Sequence, residues 1–334
     1  MINGSLTIKK LYKRRFFLIP TLILIILVFG ILWQHYMNRY EEEKYNPPGQ
    51  LIKVNSHKMH IYAAGEGSPT VVFTVGSGTP CAYTDYYYIQ KEVSKTVRTI
   101  SYDRPGFGWS ESTAIPRTIG TQVDELHELL FKSGEKPPYI LVGHSLSSLE
   151  VIHYAQMFPE EVLGIILIDG GNPTFYANYN ELSALATNRF FEGMRVTGVA
   201  RTLGNIGIFP PFIGEDQRQK MLPHDLQQMD KIMFYNKLGL DKNRDALKNI
   251  NENAKEVIKN GQIDTIPLVI LTAGKSTKEW KESQIHLKSW SSNSKQTEVI
   301  GSSHYIHWNY PNIIVEKIHE LIKSSKADPL NMSR

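Results

Sequence analysis

"YILVGHSLSSLEVI", residues 139–152, is the stretch on which the fold turns. Its first half is apolar and β-branched, the composition of a buried strand. A Gly and a His follow, then Ser145, then apolar residues at helical spacing. A side chain at a sharp strand-to-helix turn stands clear of both elements, provided its neighbours are small. Gly143 meets that demand on one side. Ser147 meets it less fully on the other, but its hydroxyl can bond back to a carbonyl of the first helical turn, so the geometry is not forbidden. The choice is between Ser145 as an exposed nucleophile and an ordinary strand–helix junction with an incidental Ser.

Strand and helix signals alternate on both sides of this stretch. "LIKV" and "KMHIYAAG" predict a hairpin turning near Asn55-Ser56. "PTVVFTVGSG" predicts a buried strand, "DYYYIQKEV" a helix, and "TVRTISYDRPGFG" a strand running into a tight loop. "TIGTQVDELHELLFKSG" has helical spacing, with Thr118 as N-cap and Gly134 past its end. After residue 152 the helix runs to Pro159, and "VLGIILID" is again a strand. Strands alternating with helices imply a parallel sheet covered on both faces. The alternation pauses after Asp169, and about 90 residues with amphipathic patterns intervene before "IPLVILTAG". That is far longer than an ordinary connection and predicts an inserted helical cap.

Four landmarks in this order, "VVFTVGSG", "SYDRPGFGWS", "VGHSLSS" and "GSSHYIHW", resemble the α/β-hydrolase family over residues from about 51 to 324. The resemblance implies an α/β fold: a mostly parallel sheet flanked by helices, with an inserted cap. It makes residues 143–147 the nucleophile elbow, with Ser in place of the second Gly, and Ser145 the nucleophile. His304, after the last strand signal, becomes the general base, with His307 a supporting residue. The backbone N–H groups of Ser77 and Leu146 become the oxyanion hole, flanked by Gly76 and Gly78. Val75-Gly76 stands where the family commonly has His-Gly. The third member of the triad is open. The usual position after "PLVILTAG" carries Lys275, Ser276 and Thr277, none of them acidic. Asp169, at the end of "GIILID", is the favoured acid; Glu279 or no acid at all are the alternatives. Asp103 and Arg104 are read as structural. Ser at the nucleophile position argues against the epoxide and haloalkane chemistry that an Asp would carry, and favours acyl transfer to water. A ligand sensor without turnover and an acyltransferase are the other readings.

The N-terminus adds a membrane question. Phe16 to Trp33 holds 18 residues without a charge. As a helix it spans roughly 27 Å, about the thickness of a bilayer's hydrocarbon core. Five basic residues precede it, no small-residue cleavage site follows, and no acid occurs before Glu41. An uncleaved signal anchor is expected, N-terminus in the cytoplasm and body outside, with a cleaved signal peptide as the rival. The expected division is a basic tail at 1–15, the anchor at 16–37, a stiff linker at 38–50, the first part of the core at 51–171, the cap at 172–262, the second part of the core at 263–324 and a polar tail at 325–334.

The formal charge is +4, and without the five basic residues of the tail the chain has one more acid than base. Such a body lacks the basic face that nucleic acid requires, so no nucleic-acid partner is expected. The single Cys, Cys81, permits no internal disulfide and reads as a small buried hydrophobe. No metal-ligand cluster or dinucleotide fingerprint is present, and no cofactor is expected. The cap's Phe190, Phe191, Met194, Met229 and Met233 favour a small-molecule substrate with an apolar acyl or alkyl group.

Overall fold

The computed structural model describes residues 3–207 and 215–327, with side chains described from residue 18 onward except at 215, 216, 326 and 327. The basic side chains of the tail and the last seven residues of the polar tail lie outside the described part.

Eight strands form one sheet: β1 (Gln50–Val54), β2 (His57–Ala64), β3 (Thr70–Thr74), β4 (Thr99–Tyr102), β5 (Tyr139–His144), β6 (Val162–Ile168), β7 (Leu268–Ala273) and β8 (Ser294–Val299). Their order across the sheet is β1-β2-β4-β3-β5-β6-β7-β8. The opening hairpin pairs Val54 with His57, and Asn55 takes φ 51 at its turn. Asn tolerates the left-handed region that such two-residue turns need. β2 joins β4 antiparallel, and every pairing from β4 to β8 is parallel.

β3, β4 and β5 are buried along their whole length, because helices cover both faces. One layer packs Leu126, Leu129, Ile152 and Tyr154 on the sheet; the other packs Tyr86, Ile89, Ile314 and Ile318. The helix Ile119–Lys132 starts at Thr118, whose hydroxyl accepts from Thr121 N at 3.2 Å.

Between β6 and β7 the chain forms the expected helices, among them Pro173–Ala177, Glu181–Val196, Val199–Asn205, Glu215–Met221, His224–Lys237 and Ile250–Lys259. The last departs from the expected division. Ile250, Ala254 and Val257 are at most 2% exposed and sit in the main core beside Leu126 and Ile152. The helix therefore belongs to the α/β body, although it was read as cap.

The linker expected over 38–50 also differs. The N-terminal helix is continuous over Asn3–Lys44. Its stretch from Leu18 to Lys44 is long and apolar enough to cross a membrane. Gln34 and Glu41, one face of its C-terminal part, are buried against the cap. Arg201 Nη2 donates to Glu41 at 2.8 Å, and Gln34 Nε2 donates to the Tyr235 carbonyl at 3.2 Å. These partners hold the polar sequence helical where composition alone indicated a linker.

Candidate active site

The turn after β5 is strained. Ser145 has φ 54, in the left-handed region that costs a non-Gly residue roughly 1–3 kcal/mol. Small neighbours and specific hydrogen bonds hold it. A Cβ on Gly143 would lie 3.0 Å from Val151 and 3.1 Å from the Ser147 hydroxyl. The Ser147 hydroxyl donates toward the carbonyls of His144, at 2.8 Å, and Thr74, at 3.0 Å. It thus ties the turn to the end of β3 as well as to its own first turn. The loop after β3 comes equally close: a Cβ on Gly76 would sit 2.6 Å from His144 Nδ1. Gly is needed there for the Ser77 loop to approach Ser145.

Asp169 follows β6, which lies between the Ser145 strand and β7. Its Oδ2 lies 2.6 Å from His304 Nδ1. Its Oδ1 accepts from Ala273 N at 2.9 Å and Gln284 Nε2 at 3.0 Å, and Ser276 Oγ donates to Oδ2 at 3.1 Å. Asp169 is fully buried and itself strained at φ 43. Burial, the largest single influence, pushes its pKa up. The hydrogen bond and charge of His304, with the bonds from Ala273 and Gln284, outweigh burial, so the carboxyl titrates below its ordinary value. Ser276 stands where the family's acid was sought and did not occur; there it supplies a hydroxyl to the acid on the neighbouring strand.

Ser145, His304, Ser77 and Leu146 line one cavity of about 820 Å³ beneath the cap. Ser77 Oγ donates to Asn243 of the cap at 2.8 Å. Tyr176, at the start of the cap, shares a hydrogen bond with the Ser145 hydroxyl, and burial raises its phenol pKa. The sequence reading missed Tyr176, Ser276 and Gln284. The aromatic run at Phe175, Tyr176 and Tyr179 is the only trace of the first. His144 is 2% exposed and its Nε2 lies 3.1 Å from the His304 carbonyl. Burial first, then His307 and His304, hold its pKa well below the usual histidine value.

The remaining candidates lie elsewhere. His307 is buried outside the cavity, with Nε2 3.2 Å from Asp85 Oδ2, a close approach without hydrogen-bond alignment. Glu279 is exposed on the helix Lys278–Ile285. Asp103 accepts from Ala82 N at 2.7 Å and contacts His60 Nδ1 at 2.7 Å, and Arg104 Nε donates to Glu150 at 3.0 Å. Both have structural partners, as read. Of the five apolar cap residues, Phe191 lines the cavity. Met229 and Met233 are buried in packing, Met194 packs in the cap's own small core, and Phe190 faces outward at 65% exposure. Among the described residues no cluster of His, Cys, Asp and Glu could hold a metal ion.

Comparison with known proteins agrees with this architecture. The protein YbdG of Bacillus subtilis (strain 168) is 30% identical over 270 residues, covering 80% of this chain and 81% of that protein. The enol-lactonase of Burkholderia xenovorans LB400 superposes with a TM-score of 0.63 at 15% identity, over 82% of this chain and 100% of that one. A Bacillus megaterium epoxide hydrolase gives a TM-score of 0.64 at 17% identity, over 82% and 100%. At those identities the two structures speak to the fold alone. The family model described as the alpha/beta hydrolase fold matches residues 69–311, and with the sheet order and the cap inserted after β6 it makes this chain a member of the α/β-hydrolase family.

Proposed function

We propose that the chain is a membrane-anchored serine hydrolase that cleaves carboxylic esters through an acyl-enzyme. The observation that carries the reading is the 2.6 Å contact between His304 Nδ1 and Asp169 Oδ2 in a cavity that Ser145 also lines. With Nδ1 committed to Asp169, Nε2 is the nitrogen free to take a proton. Ser145 Oγ attacks the ester carbonyl carbon and gives its proton to His304 Nε2. Asp169 stabilises the resulting imidazolium. The N–H groups of Ser77 and Leu146 receive the charge on the carbonyl oxygen. Collapse of the tetrahedral species breaks the bond to the alcohol, which leaves with the proton from His304. A water, deprotonated by the same nitrogen, then attacks the acyl carbon; the acyl–Oγ bond breaks, the carboxylic acid leaves, and His304 returns its proton to Ser145 Oγ. Ser at this position, with no Asp nucleophile, supports ester over epoxide chemistry. The reading takes the apolar N-terminal helix as an uncleaved anchor, with the basic tail in the cytoplasm and the body outside.

The test uses the full chain in detergent with a fluorophosphonate probe and esters of graded acyl length. Wild type is expected to label at Ser145 and turn over many equivalents. Ser145→Ala should abolish both while the melting temperature stays within a few degrees. Normal turnover by that variant would refute the assignment. Labelling of wild type without turnover would replace the enzyme with a sensor, and an ester product formed from added alcohol would make it an acyltransferase.

A further inference from the structure

The apolar N-terminal helix does not stop at the cap; it runs beside it. A Cβ on Gly30 would collide with the Thr197 carbonyl oxygen, and Gly198 packs against Gly30 in return. Gly30 lies three residues inside the apolar end at Trp33, about 4.5 Å along the axis. The turn Thr197-Gly198 ends the cap helix Glu181–Val196. One face of that helix carries the exposed, uncharged Leu182, Ala186, Phe190, Gly193 and Val196, with the exposed Arg189 among them, a side chain whose apolar stem can lie along such a surface while its guanidinium reaches polar headgroups. Leu182 is 69% exposed, Phe190 65% and Val196 41%. Spacings of four and three residues make them one stripe. It ends at the contact with Gly30 and continues there into the exposed apolar surface of the N-terminal helix.

We infer that this stripe is a membrane-contact surface, seated in the outer face of the bilayer that holds the N-terminal helix, and that the site takes long-chain acyl esters dissolved in that bilayer. The inference rests on the hydrolase and anchor reading given above. The occupant follows from continuity: a helix spanning a bilayer to Trp33 brings lipid to the depth of Gly30, and the stripe begins at that depth. The substrate class follows from the other face of the same helix. Ser183, Ala184, Thr187 and Phe191 line the cavity that contains Ser145. Ser183 and Thr187 are also exposed, so they stand at its mouth, one position around the helix from Leu182 and Ala186. An acyl chain leaving the lipid along the stripe meets the mouth within the width of one helix, about 10 Å. An interfacial helix of this kind binds by burying apolar side chains at the boundary between headgroups and acyl chains.

The experiment places a fluorophore on a cysteine introduced by Phe190→Cys or Leu182→Cys, in full-length protein reconstituted into phosphatidylethanolamine–phosphatidylglycerol vesicles. Cys81, 2% exposed, does not compete for label. Quenching by doxyl-labelled lipid, with protection from aqueous iodide, is the expected result at both sites. A label at Leu24→Cys is the control for the anchor. Lipid quenching at residue 24 with iodide quenching at 182 and 190 would overturn the membrane-contact surface and leave the anchor standing; loss of quenching at all three would overturn both. Separately, Phe190→Glu with Leu182→Glu should cut hydrolysis of a vesicle-embedded monoacylglycerol at least tenfold while changing that of a soluble butyrate ester less than twofold. Equal loss on both esters would overturn the substrate class. Wild type inert toward both esters would instead sink the hydrolase reading itself, which the quenching result does not depend on.

Discussion

His144 is buried between the Gly76 loop and the His304 backbone, where a charged ring would face two other imidazoles. Kept neutral, its Nε2–H donates to the His304 carbonyl and so helps hold the loop that carries His304. Its folded pKa lies below the ordinary 6.5. The unfolded chain therefore takes up a proton as pH falls below 6.5 and the native protein does not. The stability this ring contributes is complete above that pH and is lost below it. His144→Gln, which keeps a donor and cannot titrate, is expected to flatten the fall in melting temperature from pH 7 to about 5; an unchanged slope would assign the proton uptake elsewhere. Asp169 behaves in the same sense at lower pH, its contribution lost as pH falls through a value below 3.8. Asp169→Asn should keep the fold and lower kcat by about 10²–10⁴, since the amide favours the wrong tautomer of His304. A near-normal rate would mean that His304 works without an acid. Ser145, His304 and Asp169 were legible in the sequence because each follows a strand. Tyr176, Ser276 and Gln284 were not, because their contacts depend on how the cap and the β7 loop fold back over the strand ends.

Helices were easier to find than to assign. The amphipathic pattern of Ile250–Lys259 indicates a helix, but periodicity does not say which layer its apolar face joins, and that face turned out to be core. The polar run after Trp33 posed the converse difficulty. Its charges read as a linker because their partners, Arg201 and Asn236, lie about 160 and 195 residues away in the chain. The Arg201–Glu41 pair is buried on both sides, so removing one partner leaves an uncompensated charge. Arg201→Met is expected to destabilise the docking of the N-terminal helix by about 3–5 kcal/mol. Adding Glu41→Leu should recover at least half of that loss in melting temperature. Additive losses would show that the two residues do not act as a pair.

The assembled molecule has a sheet whose composition was legible from alternating strands and helices, and whose order was set by crossovers that sequence alone leaves open. β6 beside β5 and β7 is the arrangement that lets a carboxylate from one strand serve a histidine that follows another. The membrane orientation is tested on intact cells. A protease added outside should digest the body while the peptide up to Arg15 stays protected; a body digested only after permeabilisation would reverse the topology, and a mature N-terminus beyond Trp33 would remove the anchor. The helix Asn3–Lys44 is pinned to the body by the buried contacts of Gln34 and Glu41. A domain on a slack tether sweeps a hemisphere and samples the surrounding water. One fixed to a rigid post, with the post in a bilayer, keeps a constant height and travels by lateral diffusion. For a substrate held in the same bilayer, encounters would then form a two-dimensional search, governed by the number of substrate molecules per unit area of membrane and not by the surrounding volume.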